Sequence, residues 1–254
     1  MIAIPAVDLR EGACVQLVGG SYDHESIRLT DPVRVACGWA QLGFEWVHVV
    51  DLDAATERGS NAALVAEVIR ECGAQVQAGG GVRDAEAIER LLDAGAERVV
   101  LGTRAVEDAN WLERMASGFG ARLVVAADVR ERRVVTRGWQ RTLRRHVLDL
   151  IEDLNDLPLA GVLVTAIHRE GQMQGPDLRL MEDAVRASVH PLLASGGITT
   201  LDDLRRLAAA RIAGAVLGMA LYTGALESRR VAEEFGAGGG RMREERLEER
   251  GGSP

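Results

Sequence analysis

Short apolar runs alternate along the chain with longer segments in which apolar residues recur every three or four positions. The short runs cover residues 2–7, 46–50, 76–78, 98–101, 123–127, 161–164, 191–194 and 215–217. Each is nearly all apolar, and all but the seventh are followed directly by Gly, Asp or Thr before a helical pattern begins. Leu64-Val65-Val68-Ile69 and Ile88-Leu91-Leu92 carry the helical spacing, and Asp84 and Asp202 are placed to cap helix N-termini. Strands apolar on both faces are buried on both faces, which implies parallel pairing in β-then-α units. Eight such units predict an α/β fold of the (β/α)8 TIM-barrel type. A doubly wound open sheet is the alternative, but its first turn calls for a glycine-rich fingerprint. Here the first run ends in Asp8-Leu9-Arg10, so the barrel is favoured.

Composition narrows the chemistry. The 254 residues are close to the roughly 250 of such a barrel. All 30 basic side chains are arginine; the sequence contains no lysine. That excludes Schiff-base aldolases, pyridoxal-phosphate enzymes and P-loop nucleotidases, each of which needs a lysine amine. An apolar fraction of 47% supplies a full core, and 27% charged residues supply a soluble surface. With 38 acidic residues the formal charge is −8, which argues against nucleic-acid or anionic-membrane partners. Cys14, Cys37 and Cys72 lack a metal-ligand spacing, and neither a membrane span nor a leader is read, so the expectation is a cytoplasmic protein, monomeric, with no metal. Residues 1–235 read as one barrel domain. From Gly236 the composition turns to Gly, Arg and Glu, and 236–254 read as a flexible tail.

A two-fold internal repeat carries more information than any single motif. Ala78-Gly79-Gly80-Gly81-Val82-Arg83 matches Ala194-Ser195-Gly196-Gly197-Ile198-Thr199 at an offset of 116, and Leu101-Gly102-Thr103 matches Leu217-Gly218-Met219 at the same offset. Ala127-Asp128-Val129-Arg130 echoes Val7-Asp8-Leu9-Arg10 at a slightly different one. Two half-barrels of four units each would set these segments on opposite sides of one mouth. A strand ending in glycines before a helix leaves backbone N–H groups free at a positive helix end, a nest that binds phosphate without lysine. Gly196, Gly197 and Gly218 occupy the usual phosphate place after strands 7 and 8, and Gly80, Gly81, Gly102 and Thr103 repeat it after strands 3 and 4. Two cradles imply a small-molecule substrate with a phosphate at each end. Between them, Asp8 and Asp128 form a carboxylate pair suited to general acid–base work. Asp51 and Asp53 suit capping or supporting roles better than a Mg²⁺ pair.

These residues resemble a known family. Ile4-Pro5-Ala6-Val7-Asp8-Leu9-Arg10-Glu11-Gly12, Val50-Asp51-Leu52-Asp53-Ala54-Ala55, Gly79-Gly80-Gly81-Val82-Arg83, Leu101-Gly102-Thr103, Gly138-Trp139, Ala194-Ser195-Gly196-Gly197 and Gly218-Met219-Ala220-Leu221-Tyr222 are similar to segments of the ProFAR isomerase family of histidine biosynthesis, over roughly residues 1–235. The resemblance implies an Amadori rearrangement of an aminoaldose to an aminoketose, on a substrate with two phosphoribosyl ends and without a cofactor. It implies Asp8 as general base and Asp128 as general acid. Gly20, Arg83, Trp139, Thr165, Glu170 and Gly175 complete the implied binding set beside the cradle residues, with Arg83 the leading candidate cation. Two positions depart from the family pattern: Glu170 stands where Asp is usual, and Gln16 where a basic residue is common. His168 reads as a loop residue. The related ammonia-consuming cyclases usually carry Cys two positions before the first Asp and Lys in the following hairpin, where this chain has Ala6 and Gln16. A phosphoribosylanthranilate isomerase would carry Cys in place of Asp8. A dual-substrate isomerase, with Arg137 and Trp139 as determinants, and a non-catalytic phosphate-binding barrel are the remaining alternatives.

Overall fold

A computed structural model describes residues 1–20 and 24–237. The chain opens with β1 (Ile2–Arg10), the hairpin β2 (Ala13–Leu17) and β3 (Glu25–Leu29), then α1 (Pro32–Gln41), β4 (Trp46–Asp51), α2 (Leu52–Ala55), α3 (Ala62–Glu71), β5 (Gln75–Gly79), α4 (Ala85–Asp93), β6 (Arg98–Leu101), α5 (Thr103–Glu107) and α6 (Ala109–Phe119). The second half repeats the plan: β7 (Leu123–Arg130), the hairpin β8 (Arg133–Thr136) and β9 (Arg141–His146), α7 (Val147–Leu154), β10 (Gly161–Ala166), α8 (Leu178–Ala187), β11 (Leu192–Ser195), α9 (Leu201–Ala209), β12 (Gly214–Leu217), α10 (Met219–Tyr222) and α11 (Ser228–Phe235). Strands β1, β4, β5, β6, β7, β10, β11 and β12 pair in parallel in that order, and β12 pairs back to β1. This closed eight-stranded barrel with outer helices is the predicted fold.

Alternation along the strands divides the side chains. One set, including Ile4, Val100, Val124, Leu163, Leu193 and Val216, fills the barrel interior. The other, including Val7, Val47, Val49, Val99, Leu123 and Val162, packs under the helices. At the N-terminal end of the barrel, Arg98 lies over the Trp46 ring, 4.2 Å from guanidinium carbon to ring centroid, so a charged side chain closes that end by stacking. Asp8 and Asp128 lie at the opposite end, where the strands run out.

The two hairpins are the main addition to the sequence reading, and they obey its repeat. Asp8, Leu9 and Arg10 pair with Val15, Cys14 and Ala13; Asp128, Val129 and Arg130 pair with Val135, Val134 and Arg133. The offset is 120 for every residue of both strands. Each turn has two residues at positive φ: Glu11 (47°) and Gly12 (74°) in the first, Glu131 (49°) and Arg132 (70°) in the second. Such a primed turn is usually announced by Asn-Gly or Asp-Gly, and Glu131-Arg132 gives no such signal. Arg132 is held there by an ion pair to Asp183 at 2.6 Å.

Asp84 caps α4, accepting from the Ala87 N–H. The expectation for Asp202 is corrected: Thr200 caps α9 in a reciprocal capping box with Asp203. Asp202 instead sits in the first helical turn, where its charge favours the positive helix end. Gly236, where the composition changes, is still tied to the barrel through its carbonyl, which accepts from Glu45 N–H at 2.9 Å. The remainder of the tail reading, 238–254, lies outside the described residues. None of the helices among the described residues is long and apolar enough to cross a membrane. Thr200→Ala is expected to lower stability by about 1 kcal/mol, the usual worth of an N-cap. Asp202→Ala should stay within about 0.5 kcal/mol of the parent; urea denaturation of the two variants measures the difference.

Candidate active site

At the C-terminal ends of the strands a cavity of about 570 Å³ opens, lined from both halves of the chain. Asp8 and Asp128 face it from β1 and β7, each two residues above an inward alanine, Ala6 or Ala126, which also line it. The small side chains leave room beneath the carboxylates. Asp8 lies in register with Val50 of β4 and Asp128 with Thr165 of β10, so strand pairing alone sets their positions.

The environments of the two aspartates differ. Burial pushes Asp8 up to about 7, with no donor opposing the shift. Burial also raises Asp128, but Trp139 and Thr165 hydrogen-bond to it and hold its ionised form in place. The Trp139 indole N–H donates to Asp128 Oδ2 at 2.8 Å. Glu170, from the loop after β10, joins the pair. Burial pushes it up to about 7, aided by repulsion from Asp8 and then Asp128, and its Oε2 is buried without a partner. The extra methylene of Glu170 therefore still brings a carboxyl to the centre. No arginine offsets any of the three shifts.

The glycine turns flank this centre as matched pairs. Gly80 and Gly196 have φ of 101° and 99°, and Gly81 and Gly197 have 69° and 77°. A Cβ on Gly80 or Gly81 would collide with backbone of Asp51 or Ala54; one on Gly196 or Gly197 would collide with backbone of Ala166 or Gly175. The turns thus pack on the preceding βα loops in the same way twice, and Gly175 supports the second turn by donating its N–H to the Gly197 carbonyl at 3.0 Å. Gly102 (φ −102°, ψ −122°) and Gly218 (φ −106°, ψ −112°) begin the short helices α5 and α10, and no side chain caps either N-terminus. Free backbone N–H groups therefore point into the mouth from both sides.

Loops complete the rim. The Trp139 ring lies against Gly20, where any side chain would overlap it. Its loop is anchored to α5: Thr103 Oγ1 accepts from the Arg137 N–H at 3.0 Å, and Glu107 accepts from Arg137 Nη2 at 2.9 Å and from the Thr136 hydroxyl at 2.9 Å. Arg83 lines the cavity, but its guanidinium donates to the carbonyls of Ala54 and Gly81 and pairs with Glu57 at 3.1 Å. It braces the first glycine turn. Gln16 is buried against Gly218. Asp51 caps α2 and accepts from Asn61, and Asp53 accepts from the Glu11 N–H and from Asn61. This network ties the β1–β2 turn to the β4 loop, the supporting role expected of those aspartates. His168 sits 3.3 Å from Asp177 in the loop after β10. Asn61, Glu107, His48 and Gln77 were absent from the sequence reading. His48 occupies an inward position of the alternating run Trp46-Val47-His48-Val49-Val50, a signal open to anyone who counts strand faces; Asn61 and Glu107 give none.

Comparison with known proteins agrees with this geometry. Residues 2–227 match the family described as histidine biosynthesis protein. A protein of Gemmatimonas aurantiaca is 63% identical over 93% of this chain and 100% of its own length. One of Myxococcus xanthus is 54% identical over 92% and 99%, and one of Moorella thermoacetica 41% identical over 88% and 94%. All three carry the name 1-(5-phosphoribosyl)-5-((5-phosphoribosylamino)methylideneamino) imidazole-4-carboxamide isomerase. The chain belongs to the histidine biosynthesis protein family and, within it, to the imidazole-4-carboxamide isomerases.

Proposed function

We infer that this chain is the isomerase of histidine biosynthesis that converts the aminoaldose ProFAR into the aminoketose PRFAR, by acid–base catalysis between Asp8 and Asp128. The observation that carries the mechanism is the placement of these two carboxyls at repeat-equivalent positions between two glycine cradles. Gly80, Gly81, Gly102 and Thr103 would hold one phosphate of the substrate; Gly196, Gly197 and Gly218 would hold the other. Gly20, Trp139, Thr165 and Gly175 shape the space between, and Arg83 supports the first cradle.

The proton transfers balance without a cofactor. Asp128, protonated, delivers its proton to the ring oxygen as the C1–O bond breaks and the substrate nitrogen forms the C1=N⁺ imine. Asp8, ionised, removes the C2 proton, and the electron pair runs through C1=C2 to nitrogen, giving an enolamine. Return of that proton to C1, with transfer of the enol proton to Asp128, gives the C2 ketone and resets both groups. The amine comes from the substrate, so an enzyme without lysine suffices. A carboxylate raised to about 7 is a stronger base than an ordinary one and is ionised in part at neutral pH. Trp139 and Thr165 oppose protonation of Asp128, and withdrawal of the indole on substrate entry would favour its acid form. Glu170, raised to about 7, is a proton reservoir beside it.

Purified protein assayed in parallel on ProFAR and phosphoribosylanthranilate tests this reading. ProFAR should be converted, while the anthranilate carboxylate, facing Asp8, Asp128 and Glu170, should be refused. Asp8→Asn or Asp128→Asn should lower kcat by about 10²–10⁴-fold, the scale of general acid–base catalysis. Full activity in either variant contradicts the mechanism. The raised pKa of Asp8 also predicts a stability cost. An Asp8 carboxyl that holds its proton up to about 7, against 3.8 in its ordinary state, is ionised first in the unfolded chain. Stability therefore falls as pH rises from about 4 to about 7, at up to about 1.4 kcal/mol per unit, and stays lowered above. Asp8→Asn should melt higher than the parent at pH 8 and alongside it at pH 4.

A further inference from the structure

The floor of the cavity carries a titratable side chain that these proton transfers leave unused. His48 on β4 and Gln77 on β5 are register partners, both buried and both directed into the barrel. His48 is also paired with Ala6 of β1, one inward step below Asp8, and it lines the same cavity as Asp8 and Asp128. The layer beneath is apolar, so two polar side chains at this level cost stability that Leu or Val would not. The Gln77 amide nitrogen lies 2.9 Å from His48 Nδ1. With the Gln77 amide in this orientation its N–H donates, which makes Nδ1 the lone-pair nitrogen and puts the ring proton on Nε2. Burial pushes His48 down to about 4, so the ring is neutral at any pH where the carboxylates act. Among the described residues, Gln77 is the hydrogen-bond partner of the ring. Nε2–H is left to whatever fills the cavity.

We propose that His48, fixed as its Nε2–H tautomer by Gln77, donates a hydrogen bond to the C2 oxygen of the opened sugar, the oxygen that becomes the product carbonyl. The proposal rests on the isomerase reading above. As the enol gives up its proton, negative charge gathers on that oxygen. A donor already aimed at it stabilises the charge without reorganisation. His48 gives up no proton, so the balance of the scheme is unchanged, and a neutral imidazole has the weak acidity suited to donating without transferring. Gln77 acts through His48 and is a positioning residue.

The test uses the full chain with His48→Met, which loses the donor, and His48→Gln, which keeps an N–H at similar reach. His48→Met should lower kcat on ProFAR by about 10²-fold, as for loss of one preorganised donor, with KM changed little. His48→Gln should recover most of that loss. In ¹⁵N spectra of the wild type, the imidazole signal missing from His48→Gln should show a neutral ring protonated on Nε2. Gln77→Leu should blur that tautomer and lower kcat without raising KM. The proposal is overturned by a kcat for His48→Met within twofold of wild type, or by a ring protonated on Nδ1. If His48→Met does not fold, His48→Gln and the wild-type tautomer decide. A wild type unable to convert ProFAR would instead contradict the isomerase reading, while the tautomer is read with no substrate present.

Discussion

Three partly buried carboxyl groups gathered at one end of a barrel, with no arginine offsetting them among the described residues, are the constraint on which the rest turns. Asp8, Asp128 and Glu170 are each raised by burial, and Glu170 further by its two neighbours. A surface would relax such a cluster with solvent or an arginine. Here the parallel pairing of β1 with β4 and of β7 with β10 fixes the aspartates in place, and the arginine nearest the first glycine turn is committed to loop carbonyls and Glu57. The fold thus bears an electrostatic cost, and that cost yields carboxyls able to exchange protons near neutral pH.

The backbone of the mouth is duplicated. The hairpins, the glycine turns and the uncapped helix starts are each built twice with nearly the same dihedral angles. What differs between the halves is the surroundings of the two aspartates. Asp8 has no opposing donor, while Asp128 has an indole and a hydroxyl. Duplicated backbone thus surrounds two repeat-equivalent carboxyls with unequal side-chain environments.

Much of this was legible from residue order. Strands buried on both faces read as apolar runs, and the glycines at 80, 81, 196 and 197 marked turns that do require them. The second hairpin was not legible, because its positive-φ turn is Glu131-Arg132 and depends on Asp183, distant in sequence. The cap of α9 was misplaced by two residues, since Thr200, Asp202 and Asp203 all have capping chemistry and only the reciprocal bonds choose among them. Arg83 reads as the leading candidate cation, and charge type alone does not reveal that its guanidinium also donates to the carbonyls of Ala54 and Gly81. His48 and Gln77 were hidden in otherwise apolar strands, where one polar residue is easily passed over unless the inward face is counted.

Site-resolved ¹³C titration of the side-chain carboxyls measures directly whether the mouth holds Asp8, Asp128 and Glu170 as a partly buried cluster without a neutralising cation. Asp8 and Glu170 are expected to release their protons near pH 7, with Asp128 also raised above ordinary aspartate. Titration of all three near pH 4 would show solvated or neutralised groups and would contradict that arrangement.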